Sequence, residues 1–239
     1  MPFMFFDINY MLMVFIPTLI LAGGAQMMVK SAFNKYSKVP IRSGLTGAEA
    51  AHRMLRDAGL AGRVDIQRVQ GFLSDHYDPF KKVLRLSPQV HDGRSLAAVG
   101  VACHEAGHAI QHANAYAPLV IRNYIVPTAN IGSNLGVILV MIGLVLHYLT
   151  GALGLGLAML GVLLFAAVVV FQLVNLPVEF NASTRAKRMV SQLGITAGRQ
   201  EQAGVATVLN AAAMTYVAAT VTAILQLLYF VMLIAGSRD

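Results

Sequence analysis

Residues 123–178 and 202–237 contain no Asp, Glu, Lys or Arg. A chain that folds in water spreads charge along its length, at about a quarter of its residues. Here only 12% are charged and 56% are hydrophobic, and the deficit is concentrated in blocks. Those blocks must be dissolved in lipid, where only helices or closed barrels satisfy their backbone groups. A helix needs roughly 20 apolar residues to cross the hydrocarbon core. Residues 10–29, 131–149, 151–174 and 216–235 each meet that length, so four spans are expected, the second and third joined by a short turn around Thr150-Gly151.

The first block could instead be a cleaved signal peptide, since Ala22-Gly23-Gly24-Ala25 offers small residues. The residues ahead of it contain Asp7 and no Lys or Arg, whereas a signal peptide begins with a basic stretch. A retained span is the better reading. Basic residues close to span ends set orientation. Lys30, Lys35, Lys38 and Arg42 follow the first span, Arg122 precedes the second, and Arg185, Lys187 and Arg188 follow the third. The other side offers only Arg238. This predicts a multi-pass protein of the cytoplasmic membrane with both polar segments, roughly 31–122 and 179–201, in the cytoplasm and both termini outside. The net charge of +7 is then a topology signal and an attraction to anionic headgroups. No basic motif interleaved with aromatics points to nucleic acid. A lone Cys103 excludes an internal disulfide and suits a reducing compartment.

The chain divides into a first transmembrane helix (1–30), a cytoplasmic catalytic segment (31–122), a transmembrane hairpin (123–175), cytoplasmic helices (176–212) and a fourth transmembrane helix with the C-terminus (213–239). Within the first polar segment, Thr46-Gly47-Ala48-Glu49 reads as a capping box opening a helix that runs to Gly59. Two β-like runs, 63–69 and 82–86, flank Asp75-His76-Tyr77-Asp78-Pro79, whose composition suggests a loop or turn. A long helix should then begin near 92–95 and end near Asn114. Its small residues, Leu96-Ala97-Ala98-Val99-Gly100-Val101-Ala102, suggest close packing against another helix.

That helix carries His104-Glu105-Ala106-Gly107-His108. Residues four apart share a helical face, so both imidazoles can grip one ion. Glu105 lies beside the metal, where it can take a proton from bound water, which is the H-E-x-x-H logic of zinc peptidases. A helix with two chance histidines is the bland alternative. A catalytic zinc takes three protein ligands and one open position. His112 lies about 12 Å along the axis from His104, too far to join both histidines. The remaining glutamates are Glu49, Glu179 and Glu201. Glu49 belongs to the capping box, and Glu201 stands in a polar stretch with no evident partner. Glu179 follows Pro177, a residue suited to a first helical turn. It reads either as a third ligand or as a helix-start glutamate favoured by the dipole.

His104-Glu105-Ala106-Gly107-His108-Ala109-Ile110-Gln111, together with Leu176-Pro177-Val178-Glu179-Phe180 and Asp75-His76-Tyr77-Asp78-Pro79, resembles the YugP-like family of bacterial membrane zinc metallopeptidases. The resemblance covers nearly the whole chain. More distantly, the chain is similar to the HtpX-type membrane gluzincins, in which a glutamate on a later helix completes the site. The resemblance implies Zn2+ held by His104, His108 and Glu179, with Glu105 as general base. Two positions depart from it. Ser183 stands where many gluzincins carry an Asp that orients a zinc-bound histidine, and Asn181 stands where an Asp is expected in close relatives.

For the developing oxyanion, His76 or Tyr77 of the 75–79 stretch and Arg185 are the candidate donors. An ordinary polar turn and a topology-setting charge are the plain alternatives. The expected fold is a mainly α membrane protein with four transmembrane helices and a small α+β unit of the minimal-gluzincin kind. The expected function is hydrolysis of membrane-associated or cytoplasmic polypeptides, with the bilayer as a partner and homo-oligomerisation left open. A zinc-binding scaffold or quality-control adaptor without proteolytic activity is the alternative. A metal transporter would want polar ligands inside the spans, where only His147 is found.

Overall fold

The computed structural model describes residues 7–71 and 74–236. Among these the chain is mostly helical. Its helices are α1 (Ile8–Tyr36, with a π-helical stretch at Met11–Phe15), α2 (Gly47–Asp57), α3 (Pro88–His91), α4 (Leu96–Ala113), α5 (Ala117–Thr150), α6 (Ala152–Gln192) and α7 (Gly198–Gly236). Strands β1 (Asp65–Arg68), β2 (His76–Asp78) and β3 (Val83–Leu86) form one small sheet. Helices α1, α5, α6 and α7 are each long and apolar enough to cross a membrane, which matches the four expected spans. Each runs beyond the roughly 20 residues a bilayer requires. Arg238, used above for orientation, lies outside the described residues.

The residues group into two compact units. Among the described residues, one comprises 7–24, 120–176 and 215–236, the other 25–71, 74–119 and 177–214. In the first, α5 and α6 meet across glycines: a Cβ at Gly136 would sit 3.0 Å from the Gly161 carbonyl, and one at Gly161 2.7 Å from the Gly136 carbonyl. Without a hydrophobic drive between helices in lipid, such close backbone approach is what packing can use. Phe165 and Phe230 add an edge-to-face pair at 5.3 Å. Gly151, with φ +56°, turns the chain between α5 and α6 as the sequence suggests.

The second unit is built around α4. Thr46 and Glu49 cap α2 reciprocally, the Thr46 hydroxyl accepting from the Glu49 N–H and the Glu49 carboxylate from the Thr46 N–H. Ser95 caps α4 by accepting from the Ala98 N–H. The core joins Met54 and Leu55 of α2, Leu84 and Leu86 of β3, Leu96 and Val99 of α4, and Val205 and Leu209 of α7. A Cβ at Gly47 would collide with the carbonyls of Val90 and Ala98, so only glycine lets α2 start this close to α4.

Three expectations change. The 75–79 stretch is not simply a turn, because His76, Tyr77 and Asp78 pair antiparallel with Arg85, Leu84 and Val83. β1 pairs parallel with β3 on its other side, giving the order β1-β3-β2. The punctuating Asp does make a turn, its carboxylate accepting from the N–H groups of Phe80 and Lys81. Pro177 does not start a helix; it lies inside the continuous α6. Glu201 is not without partners, since it is buried and accepts from the N–H groups of Arg42 and Ala197.

Candidate active site

His104 and His108 project from one face of α4, their rings 4.7 Å apart at a steep angle. Glu179 comes to them from α6. Its Oε2 lies 3.3 Å from His104 Nε2 and 3.4 Å from His108 Nε2. Both histidines are 9% exposed and Glu179 4%, so little water competes for these atoms. The donor set of two imidazoles and one carboxylate is that of catalytic zinc sites. A tetrahedral ion with ligand bonds of about 2.0–2.2 Å sets neighbouring ligand atoms about 3.3–3.6 Å apart. The observed separations fit that spacing.

The hydrogen bonds around His108 make the same point independently. Gln111 Nε2 lies 2.8 Å from the Val178 carbonyl and 3.0 Å from Asn181 Oδ1. A carbonyl only accepts, so the Gln111 amide nitrogen faces Val178 and its oxygen faces His108. His108 Nδ1, 3.0 Å from that oxygen, must therefore carry a proton and donate it. In the neutral ring Nε2 is then a bare lone pair, aimed at a carboxylate oxygen that also only accepts. Something positive has to stand between them. One answer is a proton: burial works against charge on His108, yet the Glu179 hydrogen bond and the nearby carboxylates leave its pKa above the ordinary value. The other answer is a cation.

Glu105 stands beside these three without bonding to them. Burial raises its pKa, the two histidines pull it down, and Glu179 and Asp75 push it up again, with a net increase. A carboxylate so surrounded is a stronger base than one in water.

The chain matches, over residues 11–235, a family described as "Putative neutral zinc metallopeptidase". The chain belongs to this family. It is also 47% identical over 231 residues to a protein of Bacillus subtilis (strain 168) described as "Putative membrane protease YugP", a match covering 96% of this chain and 99% of that one. No solved structure matches it. At the level of the family this is a membrane zinc protease.

Of the two departures from the expected pattern, Ser183 touches a histidine directly and Asn181 reaches one through Gln111. Ser183 Oγ lies 3.1 Å from His104 Nδ1. A hydroxyl can donate or accept, so it orients the ring without dictating which nitrogen holds the proton, as a carboxylate would. Asn181 Oδ1 accepts from Gln111 Nε2 and, at 2.7 Å, from Arg185 Nε. Arg185 is thus tied to His108 through Asn181 and Gln111. His76 is exposed on β2, with Nδ1 2.8 Å from the Ser74 carbonyl and Nε2 3.5 Å from Arg85. Asp75 is anchored away from the ligands, accepting from the Ser87 N–H at 2.7 Å and hydroxyl at 3.1 Å. His112 bonds Tyr77 rather than any ligand. Cys103 packs in the core, where burial pushes its thiol up to about 12.

Gln111 is the contact of the candidate site that sequence reasoning passed over. Its signal was present, since a residue three after His108 shares that histidine's face. Gly107, the variable-looking position of the motif, is also constrained. A Cβ there would lie 2.9 Å from the Ala182 carbonyl and 3.3 Å from its Cα, both backbone atoms that cannot swing aside. The glycine lets α4 and α6 approach closely enough for Glu179 to reach both histidines. Gly107→Ala is expected to cost about 1–3 kcal/mol in stability by overpacking. Proteolysis should fall more than folding does, on the order of 100-fold, because a displacement of about 1 Å is enough for that. Thermal unfolding beside a cleavage assay checks this; wild-type activity in the variant would show that the contact does not hold the ligands in place.

Proposed function

We propose that the chain is a gluzincin-like zinc metalloendopeptidase whose metal is held by His104, His108 and Glu179 and whose general base is Glu105. The convergence of three metal-ligating atoms within 4.8 Å of one another, with a second carboxylate, that of Glu105, alongside, is the observation that supports the reading. When bound, zinc supplies a Lewis acid that brings the pKa of a ligated water toward 7 and polarises the scissile carbonyl. Glu105 accepts the proton of the attacking water and delivers it to the departing amine. Gln111 keeps His108 in the tautomer that presents Nε2 as a ligand, and Ser183 steadies His104. Of the oxyanion candidates, Arg185 is better supported than His76, because it is hydrogen-bonded into the Asn181–Gln111–His108 chain while His76 contacts only Ser74 and Arg85.

β2 is an edge strand, so its outer side can accept an extended substrate by strand addition. Peptide N–H and C=O groups would then supply affinity while side chains alternate between solvent and α4. Membrane-associated or cytoplasmic polypeptides fit an active segment whose flanking charges favour the cytoplasm.

The protein purified in detergent should contain close to one zinc per chain and cleave an unstructured polypeptide. Chelation should lower the rate at least about 100-fold, with recovery on adding zinc. Cleavage that survives complete metal removal would defeat the proposal. Orientation is tested separately: single cysteines at Ser43 and Arg199 should resist membrane-impermeant thiol reagents in intact cells. Labelling at Ser43 there would move the active segment to the other compartment.

A further inference from the structure

A second constellation lies near the C-terminal end of α4 and takes no part in the chemistry above. A cavity of about 200 Å³ opens there among Arg63, Tyr77, Lys82, His112 and the apolar side chains of Leu60 and Val64. Arg63 and Lys82 have no ion-pair partner among the described residues, in a unit where most other basic side chains near the sheet have one: Arg85 pairs with Asp78 and Arg68 with Asp92. Asp78, the acidic group closest in sequence to Lys82, is already engaged by Arg85 and by two backbone N–H groups.

His112 completes the pattern. Its Nδ1 lies 2.9 Å from the Tyr77 hydroxyl. The phenol can donate or accept; when the Tyr77 hydroxyl donates to Nδ1, the ring carries its proton on Nε2, which is the tautomer an anion in the cavity would select. Guanidinium, ammonium and imidazole N–H are all donors. The side-chain polar groups that line the cavity thus bring two positive charges and several donors, while the Tyr77 hydroxyl and His112 Nδ1 engage each other.

The backbone at Lys82 is unusual as well. It has φ +54°, in the left-handed region, at the last loop position of the β2–β3 hairpin. Glycine or asparagine would serve that conformation at lower cost. A lysine there gives up turn stability and gains a cation at the cavity. The C-terminal dipole of α4 opposes an anion, but it amounts to about half an elementary charge, against two whole charges on Arg63 and Lys82.

We propose that this cavity is a phosphate-binding site, in which the Arg63 fork, the Lys82 ammonium and the His112 Nε2–H each take one oxygen of a phosphate group. Three donor groups suit a tetrahedral oxyanion with three free oxygens better than a carboxylate with two. The phosphate is either inorganic or the exposed phosphomonoester of a lipid headgroup. Because Tyr77 lies on β2 and His112 one turn beyond His108, the occupied site would fasten the edge strand to the helix that carries the histidines.

The test uses the full chain in detergent and follows inorganic phosphate by calorimetric titration at constant ionic strength, with chloride as the comparator ion. Wild type should bind phosphate saturably, and Arg63→Gln combined with Lys82→Gln should weaken binding at least tenfold. Lys82→Gly separates ligand from structure, because it relieves the backbone: it should raise the melting temperature while still weakening phosphate binding. Nanodiscs containing phosphatidic acid then identify the source. If they suppress phosphate binding and phosphatidylcholine discs do not, the ligand is a lipid headgroup; if neither does, it is soluble phosphate. Phosphate binding that is absent from wild type, or equal in wild type and the double variant, overturns the proposal. So does an acidic peptide that occupies the site when phosphate does not.

Discussion

Glu105→Gln is expected to leave the protein folded and zinc-loaded while its peptidase rate falls by about a hundred- to ten-thousand-fold, the usual share of a general base. The substitution keeps the size of the side chain and removes only its ability to take a proton. His104, His108 and Glu179 are untouched, so metal content should equal that of wild type. Stability should hold or rise, because burial raises the pKa of Glu105 and a neutral amide escapes that penalty. Three measurements separate the outcomes: zinc per chain, melting temperature and cleavage rate. Loss of zinc along with activity would recast Glu105 as a ligand. Unchanged activity with unchanged zinc would remove it from the mechanism.

How far this site could be read from sequence depends on the range of the interactions involved. His104, Glu105 and His108 are local: helical geometry alone puts two imidazoles on one face and a carboxylate beside them. The capping residues Thr46, Glu49 and Ser95 are equally local, and α2 and α4 begin where those residues indicate. Glu179 is different. It lies on another helix, and its approach depends on a close backbone contact at Gly107 that no spacing rule announces. Sequence alone left it open between ligand and helix-start residue, and the second option fails because Pro177 and Glu179 are inside α6. Ser183 and Asn181 could be seen only as departures from a pattern. Their contacts with His104 and Gln111 depend on how α6 is rotated against α4. β2 escaped because three residues beside an Asp-Pro pair carry almost no strand signal of their own. They are extended because β3 offers them a ladder. The cavity proposed for phosphate gathers residues from two loops, the middle of β2 and the last turns of α4, a grouping that exists only once the sheet lies on α4.

Glu179→Ala should have the largest effect of any single carboxylate substitution in the chain. Two imidazoles from one helix can hold a zinc ion only weakly, and a structural or catalytic site needs a third protein ligand. In the proposed site Glu179 supplies it together with a negative charge, in a place where both histidines would otherwise share a buried dication alone. Losing only a hydrogen-bond partner of a ligating histidine costs about 10–100-fold in metal affinity, so loss of this ligand should exceed that and abolish cleavage at ordinary zinc concentrations. The fold should survive, because Glu179 bonds only to the two histidines among the described residues. The proper controls are the other non-motif glutamates. Glu49→Ala removes half of a capping box and should lower the melting temperature slightly. Glu201→Ala strips the partner from two backbone N–H groups, of Arg42 and Ala197, and should cost about 1–3 kcal/mol. Both should bind zinc and cleave as wild type does below their melting temperatures. Glu179→Gln sharpens the comparison: it preserves shape and one ligating oxygen but not the charge, so its zinc affinity should fall between those of wild type and Glu179→Ala. Full zinc occupancy in Glu179→Ala would mean that another side chain completes the site, and the aspartates at positions 75 and 78 would be the next to replace.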